Sequence, residues 1–317
     1  MLSLKTSRFA LVFVGALVAW GCKKEQTPPD PGSEIEMLPP PPQASPPVFR
    51  SIAAGADFGL ALDSSGKVWA WGRTDQGQTA VPGDLRRVVQ IAAGDHFSVA
   101  LQDDGQVRVW GGSQVCDYKP PSHAVSIAAN GHSAFAAVLA DGTVQLAGCF
   151  ADNDKLAKGL RDIRSVALGQ GFLVALTRKG ELVHRTTWDG DDIRNLRIPS
   201  GIKGVKDIVA GAHHVLALKD DGTVLAWGPN FEGENDAPEN LGKVAKLGAG
   251  YSSSYAILED GTLRTWGNSK NKEDVFPPDL GRVRDFSSGQ YSCHLALDSS
   301  GRIFTWGEHP CDQDMPR

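Results

Sequence analysis

The sequence predicts an all-β fold, a seven-bladed β-propeller with short three-stranded blades. Three observations carry the prediction. First, between Ser51 and Gly307 one phrase recurs seven times: hydrophobic-Ala-Ala-Gly, an apolar run, Asp-Gly, a second apolar run, Trp-Gly. Its turn glycines fall at Gly66, Gly105, Gly142, Gly180, Gly222, Gly261 and Gly301, in steps of 39, 37, 38, 42, 39 and 40 residues. A constant period of this size marks units that bury their apolar faces only against their neighbours. Second, each repeat divides into three apolar stretches of five or six residues with turn signals between them. Third, after residue 48 no stretch keeps a helical period for more than two turns.

The second repeat shows the elements in order. Val88-Val-Gln-Ile-Ala-Ala93 and Phe97-Ser-Val-Ala-Leu-Gln102 are short and rich in β-formers, and Gln106-Val-Arg-Val-Trp110 alternates with period two. Asp103-Asp-Gly105 supplies the tight hairpin between the second and third. A hairpin in every repeat fits radial blades better than the shorter coils of a β-helix. Repeats three and four depart, with Ala147-Gly148 and Arg185-Thr186 in place of Trp-Gly, so the packing between blades must be rebuilt there.

Residues 1–21 read as a signal peptide: Lys5 and Arg8 precede the apolar run Phe9 to Trp20, too short to span a bilayer. Ala19-Trp20-Gly21-Cys22 resembles a bacterial lipobox, which implies lipidation at Cys22. Residues 22–47 form a proline-rich tether with a run of four prolines, Pro39 to Pro42, and residues 48–317 form the propeller. By the same resemblance, Lys23 beside the lipidated cysteine places the protein in the bacterial cell envelope, at the outer membrane. The formal charge is −5, or about −7 without Lys5 and Arg8, and no basic stripe points to nucleic acid. The membrane is expected as a partner only through the lipid anchor.

Gly94-Asp-His-Phe-Ser-Val-Ala-Leu101 through Trp110-Gly111, with Gly77-Gln78 and Val81-Pro82, resembles the regulator of chromosome condensation repeat. Pro82, Pro121, Pro238 and Pro277 each follow the tryptophan of their own repeat by eleven residues. The short period is similar to that of the beta-lactamase inhibitory protein II family, whose blades are three-stranded. That resemblance implies non-enzymatic binding of another protein, with beta-lactamase inhibition as one specific form.

Strand direction follows from the turns. The segments after Ala-Ala-Gly and after Trp-Gly share one face, here called upper, and the Asp-Gly hairpins lie on the lower face. The hairpin carboxylates suit turn formation better than calcium, because no loop offers six to eight oxygen ligands. The upper face carries polar-tipped aromatics mixed with Arg and Asp, the composition of interaction hot spots. Expected contact residues are Asp57, Arg73, Asp75, His96, His132, Trp188, His213, Asn230, Phe231, Tyr251 and Tyr291. The first and second positions after each glycine are expected to point outward, whereas Phe58, Phe97, Phe172 and His214 at the third wedge between blades. The Trp-Gly tryptophans are expected in the core.

No phosphate loop, His-Glu-x-x-His, Gly-x-Ser-x-Gly or Cys-x-x-Cys occurs. No catalytic residue, metal or cofactor is therefore expected. The alternative is a propeller lyase or hydrolase using His96, His132 and His213, which requires their side chains to converge over the axis. The partner is an unidentified protein, and the propeller is expected to be a monomer. Four cysteines remain after Cys22, an even number suited to disulfides in an exported chain. Strand directions pair Cys293 with Cys311, which pins the chain terminus, and Cys116 with Cys149 on neighbouring blades.

Overall fold

The computed structural model describes residues 46–112, 121–130, 134–148, 153–187, 196–268, 274–289, 293–307 and 311–316. The signal segment, nearly all of the tether and Cys22, Cys116, His132, Cys149, Trp188 and Tyr291 lie outside the described residues. Among the described residues no helix is long and apolar enough to cross a membrane.

Seven separate antiparallel sheets follow one another, each of three strands in sequence order. The first strands are Phe49–Ala54, Val88–Ala93, Ala124–Asn130, Ile163–Gly169, Val205–Ala210, Val244–Ala249 and Val283–Ser288. They touch one another around the axis and are the inner strands; the last strand of each sheet is the outer one. The hairpin glycines explain their own recurrence. Gly66, Gly105, Gly142, Gly180, Gly222, Gly261 and Gly301 all have φ between +80° and +92°, a conformation strained for any residue with a Cβ.

The apolar residues form seven clusters, and each lies between two blades rather than inside one. Between blades 1 and 2, for example, Phe58, Leu60 and Leu62 meet Val88, Ile91 and Trp110. A three-stranded sheet alone cannot cover two apolar faces, so neighbours are required. The five tryptophans of Trp-Gly are core: Trp71, Trp110, Trp227, Trp266 and Trp306 are all buried. Each packs back on the preceding blade, as Trp227 packs on Val174 and Leu176. Where the tryptophans are missing the packing is indeed different. Ala147 takes the small share of a tryptophan's place against Val99 and Val107. A helix, α1 (Asn153–Ala157), follows blade 3, with Leu156 and Leu160 both 2% exposed, and Leu160 packs with Ile163 and Leu173.

Blades 7 and 1 share the seventh core, in which Leu295 and Leu297 meet Ile52, Ala61 and Trp71. Elsewhere the connector leaving one blade crosses the outer strand of the next. Gln78, seven residues past Trp71, lies against Gly111, and Glu234, seven past Trp227, lies against Gly267. Gln313 is seven past Trp306, and its carbonyl accepts the Gly72 N–H at 2.9 Å. The chain end thus does at this seam what a covalent connector does elsewhere. A disulfide joins Cys293 to Cys311 with the α-carbons 5.4 Å apart, and both residues are buried in the same core.

Candidate binding face

In blades 1, 2, 4 and 5 the inner strand leads into a glycine on the upper face with a ring three residues on. A Cβ on Gly55, Gly94 or Gly169 would lie 1.9–2.0 Å from the ring of Phe58, Phe97 or Phe172, so only glycine admits the ring. The rings fill the space between blades, with Phe58 and Phe172 at 0% and Phe97 at 2% exposure. His214 occupies the same position in blade 5, is fully buried, and lies 3.0 Å from Ser254 Oγ through Nε2. Burial holds its pKa down to about 3, helped by neighbouring His213, so the ring is neutral. His294 is also buried and lowered to about 4 by desolvation, with Nδ1 3.0 Å from Ser288 Oγ.

In blades 1, 2 and 5 the residue just after the glycine is buried rather than pointing outward. Ala56, Asp95 and Ala212 are buried because their backbones join neighbouring blades around the axis. Ala56 N–H donates to Asp95 O, Gln170 N–H to Ala212 O, and Ala212 N–H to Tyr251 O, at 2.8–3.2 Å. Tyr251, at the end of that series, remains 37% exposed. Small residues line the upper axial opening, leaving a cavity of about 70 Å³ bounded by Ala54, Ala93, Ala129, Ala210 and Ala249. Asp95 also lines it, and burial, reinforced by the Asp57 carboxylate, raises its pKa to about 7.

In blades 1, 2, 4, 5 and 6 the two loops meet on the upper face, as the turn logic requires. In blade 1, Arg73 N–H donates to Asp57 O, and the Arg73 guanidinium bridges Asp57 at 3.1 Å and Asp75 at 2.8 Å. Hydrogen bonds to Asp75 and Asp57 raise the Arg73 pKa, and the Arg73 hydrogen bond lowers that of Asp75. His96, on blade 2, is exposed.

In blades 5 and 6 the same positions are aromatic. The His213 ring meets Phe231 edge-on at 5.8 Å and Tyr251 edge-on at 5.6 Å. Phe231 is 72% exposed, yet its loop is fixed from below. Asn230 Nδ2 donates to Asp236 Oδ1, Asn235 N–H donates to Asn230 Oδ1, and Glu232 N–H donates to Glu234 Oε2. Glu234 is fully buried, and its carbonyl accepts Ser254 Oγ–H and Trp266 Nε1–H on the next blade. Asn230 is therefore a loop-building residue, its side chain committed to neighbours in its own loop. Glu234 escaped the sequence reading; its only signal is the shared register with Gln78, seven residues past the tryptophan.

The catalytic alternative requires His96, His132 and His213 to converge. His213 packs with Phe231 and Tyr251, and His96 stands exposed on blade 2. His132 lies outside the described residues. Among the described residues no three His, Cys, Asp or Glu side chains gather to hold a metal. The lower-face carboxylates are occupied by their turns: Asp221 accepts Thr223 N–H and Oγ1–H, which hold its pKa down to about 2.

Residues 49–78, 88–115 and 205–234 match the Regulator of chromosome condensation (RCC1) repeat. The chain is a seven-bladed propeller, and three of its blades carry the RCC1-type repeat. Solved structures agree on the fold. The CRINKLY WD40 ectodomain of the Arabidopsis thaliana receptor kinase ACR4 is similar at 17% identity and TM-score 0.66, over 86% of this chain and 98% of that one. The ectodomain of the Physcomitrella patens receptor kinase CR4 is similar at 20% identity and TM-score 0.65, over 82% and 74%. Prp20p from Saccharomyces cerevisiae, described together with its binding to Gsp1p and histones, is similar at 20% identity and TM-score 0.62, over 82% of each chain. These likenesses are of fold.

Proposed function

We propose that this RCC1-type propeller is a non-enzymatic recognition module of the bacterial cell envelope, anchored through Cys22, that binds another protein on its upper face. The observation that carries the reading is Phe231. A large apolar ring 72% exposed would ordinarily be mobile or covered, but here its loop is tied to the core through Glu234 and its ring is propped by His213. An aromatic held in place before binding loses little freedom on contact, which is the property of an interaction anchor. On the same face of blade 1, the carboxylates Asp57 and Asp75 outnumber the Arg73 guanidinium that they share. A partner presenting an apolar pocket next to a basic patch fits both regions. RCC1-repeat propellers provide a scaffold suited to such contacts, and the Prp20p description names protein partners for that protein.

The test is cross-linking capture from native envelopes with the mature chain and with the Phe231→Ala and Tyr251→Ala variants. The reading expects a defined partner captured by the parent and lost by both variants. Equal capture by all three removes the upper face from consideration. A panel of purified beta-lactamases, assayed for inhibition by the mature chain at micromolar concentration, tests the narrower form of the reading.

A further inference from the structure

Every blade carries one β-bulge, and all seven sit at the same place. The register between inner and middle strands shifts between Phe49 and Ser51, Val88 and Gln90, Ala124 and Ser126, and Ile163 and Ser165. It shifts again between Val205 and Asp207, Val244 and Lys246, and Val283 and Asp285. A bulge ejects one residue from the pleat and re-aims its side chain. The ejected residues lie at the lower end of the inner strands, and all are exposed: Arg50, Val89, Val125, Arg164, Lys206, Ala245 and Arg284. Four are cationic and none is acidic.

Three of the four cations reach sideways to the neighbouring inner strand instead of dispersing into solvent. Arg50 donates to Val88 O, Arg164 to Lys206 O and Arg284 to Phe49 O, each on the inner strand of the next blade. One step further in, Lys246 pairs with Asp285, whose other oxygen accepts Ile52 N–H. Asp207, on the inner strand of blade 5, is a second carboxylate near these cations. Burial raises its pKa, while the Ile208 N–H and the charges of Lys246, Arg164 and Lys206 oppose the rise. Five cations and the two carboxylates Asp285 and Asp207 thus lie toward this end of the inner strands, in a chain whose overall charge is −5. Cations gathered at one end of the axis reinforce one another's field on a ligand of the opposite sign.

We propose that the lower end of the propeller axis binds a phosphate-bearing anion, gripped by Arg50, Arg164, Lys206 and Arg284. The guanidinium groups, already oriented by carbonyls, offer their remaining N–H donors to phosphate oxygens. The phosphate belongs either to a soluble ligand or to a lipid headgroup facing the side from which the chain enters the propeller at Pro46. Calorimetry of the full mature chain with tripolyphosphate, and flotation with phosphatidylglycerol against phosphatidylcholine vesicles, separate the two sources. The vesicle arm uses protein lacking the lipid on Cys22, so that an anchor contributes nothing.

The expected result is salt-sensitive binding that weakens about tenfold or more in Arg50→Gln/Arg164→Gln/Lys206→Gln/Arg284→Gln. Each single Gln variant loses a smaller share, which keeps the test valid if the quadruple variant folds poorly. Binding of tripolyphosphate identifies a free ligand, and binding of phosphatidylglycerol vesicles alone identifies a headgroup. Binding to neither probe, or binding unchanged by the single and quadruple substitutions, overturns the proposal.

Discussion

Blades 1 and 2 and blades 5 and 6 build the same backbone and fill it with opposite chemistry. In the first pair the wedges between blades are Phe58 and Phe97, and the surface above them is a charged clamp of Asp57, Arg73 and Asp75. In the second pair the wedge is a buried neutral histidine, His214, and the surface above is the aromatic group of His213, Phe231 and Tyr251. The difference teaches where the fold is strict. The glycine that admits a ring is fixed by geometry; the ring itself needs only to be flat and satisfied. The loop positions above it are constrained by neither requirement, so they are available for recognition.

The largest expected effect concerns the seam that joins the two halves. Cys293→Ser with Cys311→Ser should cost ~3 kcal/mol of unfolding free energy, the restriction that a bridge of this span places on the unfolded chain. Denaturant titration measures it, and hydrogen exchange should show blades 7 and 1 losing protection before blades 2 to 4. Uniform loss of protection would mean that the seam is no weaker than the other interfaces.

Acid should separate the histidine half from the phenylalanine half. His214 and His294 have folded pKa values of about 3 and 4, below the unfolded value near 6.5. The unfolded chain therefore binds more protons as pH falls through this window. Stability is fully present above pH 6.5 and declines below it, by about 2 kcal/mol per histidine on reaching pH 5. His214→Phe, copying the wedge of the other half, should flatten the decline. An unchanged pH profile in that variant would show that the ring at position 214 is not the sensitive group.

Asp95 works with the opposite sign. Its folded pKa of about 7 lies above the unfolded value near 3.9, so the folded chain keeps its proton longer and loses stability as pH rises from 4 to 7. Asp95→Asn should raise the melting temperature at pH 8 and leave it nearly unchanged at pH 4. A melting temperature unmoved at pH 8 would mean that the Asp95 carboxylate is well compensated.

The smallest effect on stability is expected at the charged clamp. Arg73 is exposed and its ion pairs are screened, so Arg73→Ala should leave the denaturation midpoint nearly unchanged. Phe231→Ala should be equally mild for the fold while lowering partner affinity by about tenfold or more. If Arg73→Ala lowered affinity more than Phe231→Ala, the charged half would be the anchor and the aromatic half the rim.

Much of the fold was legible because it is written in local geometry repeated in register. Asp-Gly places the hairpin, Ala-Ala-Gly the upper turn and Trp-Gly the outer strand, and each requirement acts within a few residues. Antiparallel pairing then forces the two upper loops together, which is why Asp57 and Arg73, or His213 and Phe231, were foreseeable as neighbours. The count of seven blades and the burial of the wedges and tryptophans follow from the same repeat. Of the upper face, His96, His213, Phe231 and Tyr251 could be placed from sequence, because their register fixes the loop.

Only the tertiary structure decided the rest, because it depends on contacts between blades that no short segment contains. The inward burial of Asp95 comes from the Ala56–Asp95 backbone bond across two blades. Glu234 matters because the next blade supplies Ser254 and Trp266. Leu160, past the end of α1, joins Ile163 and Leu173 in the core between blades 3 and 4. The bulges bring Arg50, Arg164, Lys206 and Arg284, spread over more than two hundred residues, to one end of the axis. Sequence by itself determined what each blade is; packing around an axis decided what the blades present together, since distance through space is set by the ring and not by the chain.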